Sequence, residues 1–345
     1  MGKPILLCDT KGMDRNRWLE CREHGPNGDI EYTVGGSDVA AIFGVSPWMT
    51  PLELWRIKKG LMKPSVINED QREMGHMMEP IAAYWYGKKT GNTVTEDTGM
   101  YQHVDYPYAL ANFDRRFTDM SGNSGILECK STTYHKASEW YNEAVPVYYE
   151  YQLRFYLAVE DVETGDFACL WGNNPNNDLA TPRIIRDKFK EDIIFEKLDH
   201  WIWSLKNDKP PTMADVDPKL GMESLARIYG ASKKGLPTVE FPKKYERPLR
   251  NIARLQTENT EYQQYINQNE KEIEAHSLKI AELMIDHEHG VLETTTDKLL
   301  IDFVAKTTRR INSDLLKKDH PDIYTEYLKS SESRKVKVKI EPIVV

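Results

Sequence analysis

The sequence around residues 112–132, NFDRRFTDMSGNSGILECKST, contains side chains that can bind a metal ion and activate water. Asp114 ends the apolar run YALANFD, and Glu128 and Lys130 lie two positions apart in GILECKS, which has the apolar character of a strand. Side chains alternate across a strand, so Glu128 and Lys130 should share one face while Cys129 points to the other. An acid and an amine on a partly buried face cost free energy unless they are paired or used.

Two adjacent strands would bring Asp114 and Glu128 to one point. Hard divalent cations such as Mg²⁺ prefer oxygen ligands, often one or two carboxylates with water and phosphate at the remaining positions. A lysine beside such an ion can orient or deprotonate the attacking water and balance charge that develops on phosphorus. The pattern therefore indicates a metal-dependent nuclease. Glu-x-Lys also arises by chance, and on an exposed strand it is usually a solvated ion pair that contributes little.

Helices and strands that could position these residues surround them along the chain. SDVAAIFG, with Ser37 or Asp38 as N-cap, TPLELWRIKKG, with Thr50 as N-cap, and MMEPIAAYWYGKKTG are typical of helices. NTVTEDTGMYQH, YALANFD, GILECKS and DFACLWG have strand character, and PVYYEYQLRFYLAVE and RDKFKEDIIFEKLDHWIWSLKN have helical spacing. The order predicts an α/β core, a central mixed sheet flanked by helices.

The composition is that of a soluble globular protein, with 345 residues, 40% hydrophobic and 29% charged. No run approaches the length of a membrane span, and charged residues follow PILLC too soon for a signal peptide. The four cysteines are scattered without a CxxC pair, which favours reduced thiols over disulfides or a zinc ribbon. A formal net charge of −8 is a mild objection to nucleic-acid binding, which depends on local patches.

Composition changes after NDKPPTMADVD (207–217), which resembles a linker. Isoleucines recur in sevens at 252, 266, 273 and 280, and Asn259, Asn269 and His276 interrupt the pattern. This spacing predicts a long helix in a helical hairpin or short coiled coil. We therefore predict a nuclease domain (1–215), a helical, coiled-coil-like extension (216–290) and a small α+β C-terminal region (291–345) that includes RKVKVKIEP.

Five segments occur in an order that is more specific than any one of them. They are WLECREHG, GGSDVAAIFGVSPWMTPLELWRIKKG, MGHMMEPIAAYWYGKKTG, NFD…LECKS and YEYQLRFYLAV. Over roughly residues 15–210 the chain resembles the YqaJ-type viral recombinases. That family includes the lambda-type phage exonucleases and belongs to the PD-(D/E)xK nuclease superfamily, whose restriction-endonuclease-like core the resemblance implies here.

The resemblance implies a set of catalytic and metal-binding residues. Metal ligands would be Glu79, Asp114, Glu128 and the backbone carbonyl of Cys129, and Asp119 is an alternative to Asp114. Lys130 would be the catalytic lysine, and Gln152 and Tyr156, four apart in YQLRFY, would point into the site from one helix face. Apart from the family, Glu79 is equally typical of a helix surface, and Gln152 and Tyr156 of a core-facing helix.

The resemblance also implies how DNA would be bound. Arg22 would bind the phosphate of a DNA end, because a planar guanidinium pairs with phosphate oxygens. Ser37 lies where GGSD opens a helix, and it could bind phosphate or act as a plain N-cap. Basic pairs could form a DNA track or be ordinary solvated surface. These pairs are Lys58 and Lys59, Lys88 and Lys89, Arg115 and Arg116, and Arg183 and Arg186.

The implied activity is Mg²⁺-dependent exonucleolytic hydrolysis of linear double-stranded DNA from its end, 5′ to 3′, with Mn²⁺ able to substitute. The remaining 3′ strand would pass to a single-strand annealing protein, and the enzyme would be a homo-oligomer, a trimeric ring, in the cytoplasm of a phage-bearing bacterium. Two alternatives remain: an endonuclease or single-strand-specific nuclease of the same superfamily, and a non-catalytic DNA-binding or assembly module. Retention of the three acids and Lys130 argues against the last.

Overall fold

The computed structural model describes residues 2–64, 69–230, 235–329 and 336–340. The chain forms two compact units, Met1–Gly230 and Ala231–Val345, which are described separately.

The first unit contains all of the residues that the sequence suggests for chemistry. Its described strands are β1 (Ile5–Asp9), β2 (Val34–Gly35), β3 (Thr93–Glu96), β4 (Gly99–Gln102), β5 (Ala109–Ala111), β6 (Arg115–Thr118), β7 (Ser124–Ser131), β8 (Thr164–Leu170), β9 (Leu179–Ala180) and β10 (Arg183–Ile185). Its described α-helices are α1 (Arg15–His24), α2 (Gly36–Ile42), α3 (Pro51–Lys58), α4 (Glu69–Thr90), α5 (Val147–Glu160), α6 (Lys188–Lys206) and α7 (Pro218–Tyr229). A 3₁₀ segment covers Tyr134–Glu143.

The larger sheet of this unit has the strand order β10-β8-β7-β6-β3, with β9 paired to β8. Strands β7 and β8 are parallel, whereas β3, β6 and β7 are joined antiparallel, so the sheet is mixed. A smaller sheet has the order β1-β4-β5-β2. The predicted α/β class, a central mixed sheet flanked by helices, is confirmed.

Helices cover both faces of the larger sheet, and strand β7 contacts both layers. Leu127 and Cys129 pack with Tyr86 of α4 on one face. Ile126, on the other face, belongs to the large core that includes Leu153 of α5. This alternation is the one predicted for GILECKS, and it directs Glu128 and Lys130 towards α5.

The observed starts of α3 and α2 can be compared with the capping residues predicted from the sequence. The Thr50 hydroxyl accepts a hydrogen bond from the Glu53 amide (3.2 Å), and Glu53 accepts one from the Thr50 amide (3.3 Å), which confirms the predicted cap. The N-cap expected at Ser37 or Asp38 is wrong, because α2 begins earlier and Gly35 occupies the cap position. Asp38 instead accepts from the Gly35 amide (3.0 Å).

Helix α7 belongs to the first unit, beyond the boundary that we predicted near residue 215. The Ser224 and Thr50 hydroxyls lie 2.7 Å apart, and Arg227 binds both carboxylate oxygens of Glu53 at 2.6 and 3.0 Å. These contacts join α7 to α3. The division at residues 215 and 290 stays a prediction about domains, and the compact units divide at Gly230.

The second unit contains one long helix, α8 (Glu246–Met284), where a long helix in a helical hairpin or short coiled coil was expected. An antiparallel pair, β11 (His289–Glu293) and β12 (Lys298–Asp302), follows, and then α9 (Ser313–Asp319) and α10 (Pro321–Tyr327), an α+β arrangement. The ends of RKVKVKIEP lie outside the described residues. Its described part, 336–340, has no regular structure, although Val336 and Val338 bond to Gln256 of α8.

All four cysteines are free thiols, as the scattered spacing predicted. Across the described ranges, no helix is both long enough and apolar enough to cross a bilayer.

His103, which follows β4, provides a pH test of this fold. Its ring is 2% exposed, lies 4.9 Å from the Phe195 ring, and its Nδ1 accepts from the amides of Asp105 (3.0 Å) and Tyr106 (3.3 Å). Burial lowers the pKa of His103 below 6.5, and nearby Arg186 adds to this while Asp105 and Asp161 oppose it. The unfolded chain therefore binds a proton at His103 more readily than the folded protein does. The contribution of neutral His103 to the free energy of unfolding should be fully present above pH 6.5 and should be lost as the pH falls below it.

We expect the wild type to lose on the order of 1 kcal/mol more stability than His103→Asn between about pH 7.5 and about pH 5. Asparagine keeps an acceptor near the position of Nδ1 but does not titrate. Urea denaturation at several pH values measures the difference. Parallel pH curves for the two proteins would contradict the expectation.

Candidate active site

Neighbouring strands bring Asp114 and Glu128 together. Asp114 immediately precedes β6, and the pairing of Arg115 with Leu127 places it beside Glu128 of β7. The Cys129 amide donates a hydrogen bond to Asp114 Oδ2 (2.8 Å), which fixes the carboxylate against the sheet. Asp119 lies instead in the turn between β6 and β7, where it accepts from the amides of Ser121 (2.9 Å) and Asn123 (2.8 Å). The geometry thus favours Asp114 over Asp119 as a ligand.

Glu128 is the centre of a hydrogen-bonded cluster between β7 and α5. It is 2% exposed, and its Oε1 accepts from Lys130 Nζ and from Gln152 Nε2, each at 2.6 Å. Gln152 Nε2 also lies 3.1 Å from the Tyr156 hydroxyl, one helical turn further along α5. Of the residues implied by the resemblance, Lys130 and Gln152 therefore contact Glu128 directly, and Tyr156 contacts it through Gln152.

The acids of the site shift one another's protonation. Burial raises the pKa of Glu128 to about 8, and the charge of Asp114 adds to this while Lys130 opposes it. The pKa of Glu79, on α4, is raised by burial and by Asp114, with His76 (3.0 Å from Glu79) opposing. Burial alone would lower the pKa of Lys130. The negative charges of Glu128 and Asp114 have the larger effect, so the pKa is raised. Lys130 therefore carries its proton here.

These groups suit a hard divalent cation in their chemistry. Glu128 Oε2 is buried and makes no hydrogen bond within the described structure, so a buried carboxylate oxygen lacks a partner. Excess negative charge from Glu79, Asp114 and Glu128 is what an added cation would neutralise. Among the described residues, however, no three acid, histidine or cysteine side chains form a ready-made metal cluster.

Arg22 and Ser37 meet on the α2 side of the site. The Arg22 guanidinium donates to the Ser37 hydroxyl and lies 5.1 Å from the centre of the Trp18 ring. Ser37 is exposed, and Arg22 has no ion-pair partner within the described part of the chain. The phosphate-binding roles of both residues stay predictions, and their geometry keeps donor groups available for an anion.

Gly35 and Gly36 allow the start of α2 to approach Arg22 and Tyr156 closely. A Cβ on Gly36 would lie 2.4 Å from the Tyr156 ring, and one on Gly35 would lie 2.9 Å from the Arg22 guanidinium. A side chain at position 36 would therefore require the buried Tyr156 ring to move, whereas one at position 35 would displace the flexible end of Arg22. The ring of Tyr156 fills the space above Gly36 and connects α2 to the Gln152–Glu128 pair.

Residues 17–165 match the family of the YqaJ-like viral recombinase domain. That part of the chain resembles a YqaJ-like viral recombinase domain. The resemblance stated from the sequence is thereby confirmed. The uncharacterized protein YqaJ of Bacillus subtilis (strain 168) is 28% identical over 337 residues, which cover 97% of each chain.

Two solved structures resemble this chain more distantly. An alkaline exonuclease from Laribacter hongkongensis has 21% identity and a TM-score of 0.46, covering 56% of this chain and 94% of its own. A phage related exonuclease from Haemophilus somnus 129PT has 14% identity and a TM-score of 0.40, covering 51% of this chain and 94% of its own.

Most of the basic pairs that we suggested as a DNA track are engaged by acids. Within the YqaJ-like domain, Lys58 and Lys59 pair with Asp38 and Asp208, and Arg116 pairs with Asp97 and Glu160. Beyond it, Arg183 pairs with Asp166, and Arg186 pairs with Asp161 and Glu191. Such charges are partly neutralised before DNA arrives, which reduces their electrostatic attraction for phosphate.

Two aromatic residues beside the site, Tyr149 and Trp48, were not predicted from the sequence. Lys130 Nζ lies 4.8 Å from the centre of the Tyr149 ring. The centre of the Trp48 ring lies 6.1 Å from that of Tyr149 and 5.0 Å from that of Tyr148. Trp48 is 57% exposed, which is unusual for so large an apolar side chain. The adjacent tyrosines in PVYYEYQ could have indicated aromatic residues beside the site. In an amphipathic helix, however, such tyrosines cannot be distinguished from core residues by sequence alone.

Proposed function

We propose that this protein is a metal-dependent DNA exonuclease that hydrolyses linear double-stranded DNA from its ends. The observation that carries the proposal is the cluster at Glu128, where a buried carboxylate with one unpartnered oxygen lies beside Lys130, Gln152 and Asp114. The YqaJ-like domain, whose family description is that of a viral recombinase, supports DNA as the substrate.

In the proposed site, Glu79, Asp114, Glu128 and the Cys129 carbonyl would hold Mg²⁺, for which Mn²⁺ would substitute. When bound, the ion would polarise the scissile phosphate and lower the pKa of the attacking water.

The protein's own side chains have distinct proposed tasks around that ion. Lys130, 2.6 Å from Glu128 Oε1, would orient or deprotonate the attacking water and balance negative charge on the phosphate. Gln152 holds Oε1 of Glu128 and leaves Oε2 for the ion, and Tyr156 positions Gln152 through its hydroxyl.

The finer parts of the proposal concern the DNA end. Arg22, with Ser37 beside it, would bind the terminal 5′-phosphate, and degradation would then run 5′ to 3′ and leave a 3′ strand. That strand would be transferred to a single-strand annealing protein. A trimeric ring, as the resemblance implies, would enclose the duplex.

Digestion of end-labelled linear duplex in Mg²⁺ tests the proposal and the role of Arg22. We expect release of mononucleotides, faster from 5′-phosphate than from 5′-hydroxyl ends. Arg22→Ala should reduce the rate on phosphorylated ends about tenfold or more, since hydrogen bonds to a charged group contribute about 1.5–3 kcal/mol. Arg15→Ala, on the same helix, is the matched control and should behave as wild type.

The alternatives predict different products. Cleavage of covalently closed circles would indicate an endonuclease, and cleavage of single strands alone would indicate a single-strand-specific nuclease. DNA binding without hydrolysis in either Mg²⁺ or Mn²⁺ would leave a binding module and refute the enzyme. Equal rates from both kinds of end would remove the role of Arg22.

A further inference from the structure

Trp48 is exposed at a point where the backbone is held in place. It lies in the turn between α2 and α3, and 57% of the residue is exposed. The hydroxyl of the buried Ser46 accepts hydrogen bonds from the amides of Trp48 and Met49, each at 3.3 Å. A side chain on a fixed backbone loses little further conformational entropy when a partner covers it.

Two tyrosines of α5 restrict the orientation of the Trp48 ring. Its centre lies 5.0 Å from that of Tyr148, in an edge-to-face arrangement with an interplanar angle of 77°, and 6.1 Å from that of Tyr149. Tyr148 is itself held in place, because its hydroxyl donates to Glu139 at 2.7 Å. The indole is therefore positioned in advance while more than half of it stays exposed.

The same tyrosines connect Trp48 to the acid cluster. Lys130 Nζ lies 4.8 Å from the centre of the Tyr149 ring, and the Trp48 ring is the next one beyond it. Trp48 is thus two ring contacts away from the amine that would lie beside the scissile phosphate. Successive nucleotides of a stacked strand are about 3.4 Å apart, so a strand with a phosphate at Lys130 has bases near Trp48 within a few nucleotides.

A cation without an acidic partner lies beside the exposed ring. Lys136 Nζ is 6.0 Å from the centre of the Trp48 ring, and among the described residues no acid pairs with this exposed lysine. Surfaces that bind single-stranded nucleic acid combine aromatic rings, which stack on bases, with positive charges that contact the backbone. An apolar protein partner would cover the ring but would leave the charge of Lys136 without a counterpart.

We propose that Trp48 stacks on a base of the DNA strand that is cut, within a few nucleotides of the bond that is hydrolysed. The inference rests on the proposed nuclease function and adds a residue that positions the substrate. Lys136 would contact a phosphate beside the stacked base. Because every base has a π-face, this contact would hold the strand in place without selecting a sequence.

Equilibrium binding tests the contact without hydrolysis. The ligand is a 5′-phosphorylated duplex in which the labelled strand begins with four unpaired nucleotides. It is titrated by fluorescence anisotropy in Ca²⁺, which also takes oxygen ligands, and a gel confirms that the DNA stays intact. Removal of the base at one of the four positions should weaken binding to the wild type about fivefold to a hundredfold, as expected for a lost base–aromatic stack.

Variants at position 48 distinguish stacking from simple packing. Trp48→Ala should bind the intact DNA with a similarly reduced affinity and should not respond further to the missing base, because the two changes remove the same contact. Trp48→Leu keeps apolar bulk without a π-face and should behave like Trp48→Ala, whereas Trp48→Phe should keep most of the response. Trp203→Ala, which removes an indole that is 53% exposed on α6, is the matched control and should bind as the wild type does. Thermal unfolding of each variant shows whether it is folded.

Three outcomes would overturn the inference. They are no loss of affinity at any of the four positions in the wild type, an equal loss in the wild type and Trp48→Leu, and a change of oligomeric mass in Trp48→Leu that retains the response to the base. The last would make the ring a contact between copies of the chain. Binding that depends on Trp48 without any cleavage in Mg²⁺ or Mn²⁺ would refute the proposed nuclease and leave the base contact standing.

Discussion

Replacement of Lys130 by alanine should reduce DNA hydrolysis by about 10²–10⁴-fold while DNA binding persists. Lys130 Nζ lies 2.6 Å from Glu128, so its positive charge would be beside the phosphate where negative charge develops in the transition state. In the proposed function, binding would rest on other groups, such as Arg22 and Ser37. Single-turnover cleavage and gel-shift titration with the same duplex measure the two properties separately.

Two controls distinguish chemistry from folding in that experiment. Lys206→Ala removes an exposed lysine at the end of α6 and should leave cleavage unchanged. Lys130→Ala leaves the buried Glu128 without its ion pair, so its melting temperature must be compared with that of the wild type. Full cleavage by a folded Lys130→Ala protein would exclude Lys130 from the reaction.

Gly36→Ala should destabilise the first unit by about 1–3 kcal/mol and slow hydrolysis as well. The added Cβ would lie 2.4 Å from the Tyr156 ring, closer than atoms can approach, so the ring must move. Tyr156 contacts Gln152, and Gln152 holds Glu128, so the displacement reaches the acid. Urea denaturation and cleavage rates together check both effects.

Gly75→Ala is the matched control and should change stability in the opposite direction. Gly75 lies in α4 with nothing within 4 Å of an added Cβ, so alanine there should stabilise by about 0.5–1 kcal/mol. Equal effects of the two substitutions, in sign and size, would refute the close contact with Tyr156 as the cause.

Local patterns were sufficient to predict much of the fold and of the candidate site. Alternation in GILECKS placed Glu128 and Lys130 on one face and Cys129 on the other, because strand periodicity is a property of the backbone itself. The Thr50 cap was likewise predictable, since a capping box is complete within four residues.

Features that depend on distant contacts were not predictable from the sequence. The ion pairs of Arg116 with Asp97 and Glu160 join residues 19 and 44 positions apart, so the sequence did not indicate them. Helix α7 lay beyond the predicted boundary because its bond to Glu53 spans 174 positions of sequence. Ser37 looked like a cap because composition does not show which of several adjacent residues begins a helix.

The contact of Tyr156 with Gly36 has a wider consequence. From Gly36 through Tyr156 and Gln152 to Glu128 the residues are in continuous contact. A substitution near Arg22 and Ser37 that moves the Tyr156 ring would therefore also displace a proposed metal ligand, so defects in recognition of the DNA end and in hydrolysis have to be measured separately.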